Sequence, residues 1–348
     1  MVALDALAAW MDAQGLGSGP LEDVKSLSGG TQNIMLRFRR SGRDYVLRHP
    51  PEHPRPNSNE TMRREGRVLA ALGGTAVPHP ALIALCDDEA VLGAVFYLME
   101  PVEGFNPVNG LPPLHAGSAA VRHRMGLALV EGIAALGAVD YRAVGLEGFG
   151  KPEAFLERQV PRWSAQLTGY AQCQGWPGPG ELPGVSRIGQ WLEARRPASF
   201  APGIMHGDYH LANVMYRYDS GELAAIVDWE LATIGDPLID LGWLLATWPE
   251  PGADLATVSV TPWDGFPTAG ELVDHYRARS ARDLSAIDWY AVLACYKLGI
   301  LLEGTFARAC AGQAPIETGR RLHDRAIRLL SRALGWIDKG WAEGGSVG

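Results

Sequence analysis

Two short runs carry the residue types that could do chemistry. His206-Gly207-Asp208-Tyr209-His210-Leu211-Ala212-Asn213 is followed, after a short gap, by Ile226-Val227-Asp228-Trp229-Glu230. Phosphoryl transfer asks a protein for few covalent steps. It needs a carboxylate that orients or deprotonates the attacking hydroxyl, and hard oxygen ligands for the Mg²⁺ that travels with the phosphates. Asp208 suits the first task. Asn213 and Asp228 suit the second. Asp208 and Asn213 bracket one tight loop, and that loop runs into a hairpin whose second strand ends at Asp228, so the two oxygen ligands can face one point. Each residue alone has a plain structural reading as a turn cap, a loop pin or a strand end. The set in this order points to a phosphotransferase that uses ATP and Mg²⁺. His206 and His210 are four apart, but they sit in a loop with no third ligand nearby, which argues against a transition-metal site.

Other positions must serve that loop. Leu27-Ser28-Gly29-Gly30-Thr31-Gln32-Asn33 precedes a strand, and small residues there let backbone amides approach phosphates; Ser28, Gly29, Gly30 and Thr31 are the candidate contacts. On the helix expected over 57–72, with Ser58 or Asn59 as its cap, Glu65 falls on the same stripe as Met62, Leu69 and Leu72. A carboxylate on an apolar stripe needs a partner, and Arg48 on the strand Tyr45-Val46-Leu47-Arg48 is the candidate. Met99-Glu100-Pro101-Val102-Glu103-Gly104 reads as the crossing between two halves of the chain. There the Glu100 carbonyl and the Val102 amide would flank a proline that has no N–H to offer.

The order His206-Gly-Asp208 to Asn213, with Asp228 at a strand end and Gly235-Asp236-Pro237-Leu-Ile-Asp240-Leu after it, resembles the aminoglycoside phosphotransferase and choline kinase branch of the protein-kinase-like superfamily. Tyr45 to Arg48, Phe96-Tyr97-Leu98-Met99-Glu100 and Lys297-Leu-Gly-Ile-Leu-Leu-Glu303-Gly-Thr-Phe-Ala-Arg308 resemble more closely the subfamily that includes domains fused to acyl-CoA dehydrogenases. The likeness runs from about residue 25 to 330. It implies an α+β, two-lobed kinase-like fold. Residues 1–103 would be a β-rich N-lobe and 104–348 a larger helical C-lobe with the catalytic loop and acceptor site. It implies that Arg48 and Glu65 form the ion pair that aligns ATP, with Arg where kinases commonly carry Lys, and that Glu100 and Val102 meet adenine. His206 would pack structurally. Asp236 caps the helix begun by Pro237, and Asp240 braces the catalytic loop.

Behind the sites lie the elements that hold them. Residues 34–39 alternate as a half-buried strand, and 91–100 reads as another. Helical patterns cover 118–139, 152–174, 185–195, 237–248, 270–280, 286–310 and 317–338. One small sheet, at 203–205, 213–216 and 223–228, interrupts them. The N-terminal stretch reads as a short amphipathic helix without the basic start of a signal peptide. On the helix from 286 to 310, Lys297, Leu301, Gly304 and Arg308 share a face. Glycine in mid-helix costs about 1 kcal/mol relative to Ala, so something should approach closely at Gly304. Either this is a helix–helix contact, or the face borders the acceptor pocket, with Lys297, Glu303 and Arg308 as its polar residues.

With 348 residues the chain is long enough for two lobes sharing a cleft. A net charge of −8 disfavours nucleic acid as a partner. Cys86, Cys173, Cys295 and Cys310 form no C-x-x-C pair, as expected for a reduced, cytoplasmic protein. The run from Leu238 to Trp248 is too short to span a bilayer, so no membrane partner is expected. The expected partner is a small hydroxylated molecule. The resemblance admits aminoglycosides, amino alcohols, sugars and hydroxyacyl thioesters. Segments 104–117, 160–185 and 249–267, the expected specificity loops, are rich in Trp, Pro and Leu, whereas a polycationic antibiotic would want carboxylates. A partly apolar hydroxyacyl-type acceptor fits better than an aminoglycoside. The other reading is a nucleotide-binding pseudokinase regulating a partner; the intact Asp208, Asn213 and Asp228 speak against it. A protein kinase is disfavoured because almost no room lies between Asp228 and Asp236 for an activation segment.

Overall fold

The computed structural model describes residues 2–27, 33–54, 56–249 and 258–340. Ser28 to Gln32 lie outside these, so the glycine-rich loop is not described, and neither is 250–257 of the last specificity loop.

The N-terminal third holds an antiparallel sheet of β1 (Glu22–Ser26), β2 (Ile34–Arg40), β3 (Arg43–His49), β4 (Leu82–Cys86) and β5 (Phe96–Met99) in the order β1-β2-β3-β5-β4. Alternation along β3 and β5 sends side chains to opposite faces. Tyr45, Leu47, Phe96 and Leu98 pack under α1 (Leu4–Ala13) with Leu7 and Met11. Val46, Tyr97 and Met99 face the other way, toward Met62 and Leu69 of α2 (Ser58–Leu72). Arg48 lies directly opposite Tyr97 across the β3–β5 ladder. Cross-strand partners share a face, so both point at α2 and at Glu65 on its buried stripe.

The expected strand at 91–100 is shorter. Its first residues fold into the single turn α3 (Glu89–Leu92), capped by Asp88 through Ala90 N–H and ended by left-handed Gly93. The predicted cap of α2 is also different. Asn57 is its N-cap and makes no side-chain cap bond, and the Asn59 amide instead accepts the Val95 N–H at 3.1 Å. Strands β1 and β4 carry too little alternation to be seen in the sequence.

After the crossing, helices dominate: α4 (Pro113–Gly117), α5 (Ala119–Ala138), α6 (Gln159–Gly169), α7 (Val185–Ala194), α8 (Leu238–Thr247), α9 (Ala269–Arg277), α10 (Ile287–Cys310) and α11 (Ile316–Lys339). The helix expected from 152 begins only at Gln159. The small sheet is two separate ladders: β6 (Gly203–Met205) with β9 (Thr233–Gly235), and β7 (Val214–Tyr216) with β8 (Leu223–Ile226). They hold the two ends of the 206–213 loop. Helix α10 is long and apolar enough to cross a bilayer, and so is a stronger candidate by length than the run at Leu238. Yet 67% of its apolar window is buried, packed between α8 and α11. Its composition is that of a core helix.

Candidate active site

The site is built on loops that the short ladders fix in place. Strand β6 delivers His206, Gly207 and Asp208. Gly207 has φ +88°, and a Cβ there would lie 2.6 Å from the Leu231 carbonyl, so only glycine makes this turn. Asp240 lies against it. Its two carboxylate oxygens accept the backbone N–H groups of His206 at 2.6 Å and Gly207 at 2.8 Å. Burial pushes the Asp240 carboxyl up, and those two bonds pull against it. His206 is fully buried and its Nε2 lies 2.9 Å from the Val227 carbonyl, tying the loop to the stretch before Asp228. Tyr209 donates to the Leu129 carbonyl at 2.8 Å and anchors the loop to α5.

Asp208 meets three side chains. Its Oδ1 accepts the Trp243 indole N–H at 2.9 Å, and its Oδ2 accepts Asn213 Nδ2 at 3.0 Å. His210 Nε2 is 3.3 Å from Oδ1. Because His210 Nδ1 accepts the Ala212 N–H at 3.1 Å, the ring proton sits on Nε2 and points at the carboxylate. Burial alone would raise the Asp208 carboxyl. The His210 N–H bond and the Lys297 ammonium oppose burial and hold it at about 2. Asn213 Nδ2 also donates to the Asp208 carbonyl at 2.9 Å. Its amide nitrogen is thus spent within the loop, and its oxygen is the atom left to coordinate.

Asp228 stands at the end of the second run with φ +68°, a left-handed conformation worth about 1–3 kcal/mol of strain in a non-glycine residue. It is 41% exposed, and one carboxylate oxygen accepts Arg48 at 2.9 Å. Arg48 reaches Glu65 as well, with Nε 2.8 Å from Oε2 and a second bond of 3.1 Å to Oε1. Tyr97 donates to Glu65 Oε2 at 2.7 Å. Burial pushes the Glu65 carboxyl up, while Arg48 and Tyr97 oppose it. The predicted pair therefore meets, and Arg48 joins it to Asp228 across the cleft.

At the crossing, Glu100 N–H is committed to the Ala81 carbonyl at 2.9 Å. Neither the Glu100 carbonyl nor the Val102 amide enters a backbone hydrogen bond among the described residues. The N-cap of α8 is Pro237 and not Asp236, because the helix begins one residue later than expected; Asp236 still accepts the Leu238 N–H at 3.1 Å and the Tyr290 hydroxyl.

The three predicted acceptor-site residues are not brought together. Lys297 reaches the 206–213 loop and donates to the Gly207 carbonyl at 3.3 Å. Glu303 is fully buried elsewhere, between the Trp176 indole at 2.6 Å and His323 at 2.7 Å. Arg308 is exposed and bonds Thr305 on its own helix. The close approach at Gly304 is Tyr170, whose hydroxyl would lie 2.4 Å from a Cβ there, so that position is a helix contact.

Trp243, Tyr97 and the role of His210 are not apparent from the sequence. Trp243 had one usable signal: it lies three residues beyond Asp240, so a brace at Asp240 puts Trp243 on the same helical face. Among the described residues no cluster of three His, Cys, Asp or Glu suggests a transition-metal site.

Comparison with known proteins agrees with this architecture. Mouse acyl-CoA dehydrogenase family member 10 is 28% identical over 311 residues, which cover 87% of this chain and 28% of that protein. This chain therefore spans under a third of that relative. A putative aminoglycoside phosphotransferase from Ralstonia eutropha JMP134 is 29% identical and superposes with a TM-score of 0.79, covering 96% of this chain and 99% of the other. The ternary complex of aminoglycoside phosphotransferase APH(4)-Ia with AMP-PNP and hygromycin B shares the fold at 15% identity and TM-score 0.53, covering 94% and 98%. The model of the phosphotransferase enzyme family matches residues 23–282, and with its two-lobed, protein-kinase-like α+β fold the chain belongs to that family.

Proposed function

We propose that this protein transfers the γ-phosphoryl group of ATP, with Mg²⁺, to a hydroxyl of a small and partly apolar molecule. The observation that carries this reading is the continuous chain of contacts from Glu65 through Arg48 to Asp228, with Asn213 and Asp208 on the adjoining loop. A regulatory pseudokinase has no need of a tightly held Asp208. The 1–103 and 104–348 halves would be the nucleotide lobe and the acceptor lobe, with Glu100 and Val102 at adenine and 28–31 over the phosphates.

The metal fits the donor set. Asn213 has an oxygen to spare, and the exposed Asp228 supplies the charge; both are hard ligands. Bound there, Mg²⁺ would neutralise charge on the phosphates. Arg48 and Glu65 would orient the same phosphates from the other lobe. In the transfer the acceptor oxygen bonds to the γ-phosphorus while the bond to the β–γ bridging oxygen breaks. ADP leaves with that electron pair, and the hydroxyl proton passes to a phosphoryl oxygen or solvent. A carboxylate held at about 2 is a weak base, so Asp208 acts chiefly by accepting the hydroxyl's hydrogen bond and aiming its lone pair. Positioning is the main catalytic term in this chemistry.

Lys297 places a cation beside Asp208, between Trp243 at 4.3 Å and Trp163 at 5.5 Å. Such surroundings repel a polycation and suit an apolar or anionic acceptor, which favours a hydroxyacyl-type molecule over an aminoglycoside. The test is ADP release with Mg·ATP against panels of hydroxyacyl-CoA esters, sugars, amino alcohols and aminoglycosides. Stimulation by a hydroxyacyl ester is expected. Preference for an aminoglycoside would overturn the acceptor reading, and no release with any panel would favour the pseudokinase.

A further inference from the structure

We propose that Trp243 and Lys297 act as one positioning unit on Asp208, the lysine ammonium lying on the indole face while the indole N–H holds the carboxylate. The inference rests on Asp208 being the residue that orients the attacking oxygen.

Three contacts define the unit. The Trp243 N–H donates to Asp208 Oδ1 at 2.9 Å. The Lys297 ammonium sits 4.3 Å from the centre of the Trp243 ring, within cation–π range. The same ammonium donates to the carbonyl of Gly207, the residue just before Asp208. A cation on an indole face draws electron density from the ring and makes its N–H a stronger donor, as bonds in a chain polarise one another. Trp243 is only 4% exposed, so water screens little of this. With Oδ1 on the indole and Oδ2 on Asn213, the carboxylate cannot turn, and its remaining lone pairs are aimed by the protein.

The unit has a built-in pH limit. Burial draws the Lys297 ammonium down to about 8, against the attraction of Asp208 and Asp240 and with the help of Arg162. Those groups come from the catalytic loop, α8 and α6; His206 and His210 also face Asp208. A lysine with a lowered value is charged below it and neutral above it. As pH rises through about 8 the ammonium leaves the indole face, the indole N–H weakens and Asp208 loses its counter-charge. Asp208, at about 2, does not titrate in that range.

The test uses the full chain with Mg·ATP alone, water serving as the acceptor, and follows ADP release from pH 6 to 10. Wild type should lose rate above pH about 8. Lys297→Arg keeps a cation at all these values and should retain most of the rate without that fall. Lys297→Met and Trp243→Phe should each lower kcat about tenfold at pH 7, at the low end of what positioning errors cause, with the Mg·ATP KM within about twofold of wild type. Together they should lower it little further, because they break one unit. By ¹H–¹⁵N spectroscopy the Trp243 indole resonance should move with a midpoint near pH 8 in wild type and stay fixed in Lys297→Arg. A wild-type fall in Lys297→Arg, multiplicative losses in the double variant, or an indole resonance that ignores Lys297 would each overturn the unit. Asp208→Asn separates the two readings: unchanged ADP release there would remove Asp208 from catalysis, while the indole titration still decides whether the clamp exists.

Discussion

Asp208 and Asp228 have the same side chain in different surroundings. Asp208 is held by an indole, an amide and an imidazole; Asp228 is 41% exposed in a left-handed backbone conformation. Replacing the first should affect the chemical step and replacing the second should affect the metal. Asp208→Asn is expected to lower turnover by about two to four orders of magnitude, the range for a positioned acid–base group, with Mg·ATP affinity nearly unchanged by calorimetry. Asp228→Ala should abolish Mg²⁺-dependent nucleotide binding in the same titration, and Asn213→Ala, which removes a neutral ligand, should weaken it less. Chelation of Mg²⁺ should reproduce the Asp228→Ala result in wild type. Arg48→Ala and Glu65→Ala should each raise the ATP requirement, and a double-mutant cycle should show them coupled, since Arg48 contacts Glu65 at 2.8 Å.

Helix α10 shows how one element can serve several neighbours. Its middle meets the 206–213 loop through Lys297, and its next turns meet Tyr170 at Gly304. Gly304→Ala would drive a methyl group into the Tyr170 hydroxyl and ring at 2.4–3.0 Å. It should destabilise the protein by about 1–3 kcal/mol, the usual penalty for overpacking. Gly335 in α11 is the control, because a Cβ there meets nothing within 4 Å. Gly335→Ala should stabilise by about 0.5–1 kcal/mol through helix propensity. Urea unfolding of the two variants, with unchanged slopes, would check both signs.

Across the whole molecule, α2 is the element that joins the halves. Arg64 donates to the carbonyls of Phe149 at 3.2 Å and Ala232 at 3.0 Å and stacks on the Phe149 ring at 4.1 Å. Arg67 reaches the carbonyls of Gly145 and Glu147 at 2.9 and 3.0 Å. These bonds seat α2 against the C-terminal half and so keep Glu65 within reach of Arg48. Arg64→Ala should loosen that seat. Hydrogen exchange over 58–72 is expected to quicken, and the Mg·ATP KM to rise several-fold. Unchanged exchange in α2 would show that the seat is held by packing alone.

The sequence by itself determined the placing of the candidate residues on their loops and much of the frame. The spacing of Asp208, Asn213 and Asp228 is local, and a tight loop running into a hairpin leaves few ways to arrange them. The Arg48–Glu65 pair was readable because a strand period and a helix period each placed a charge on a buried stripe, and two such charges must meet. The helices from α5 to α11 announced themselves by the same periodicity. Tertiary structure decided what periodicity cannot carry. Trp243 reaches Asp208 from 35 positions away, and Lys297 reaches Gly207 from 90; no local pattern records such contacts. Lys297 and Arg308 share a helical face, yet at 1.5 Å per residue they lie about 16 Å apart along the axis. One therefore meets the 206–213 loop and the other meets solvent, because a helix face is a line through several environments and the packing around it chooses which residue meets which.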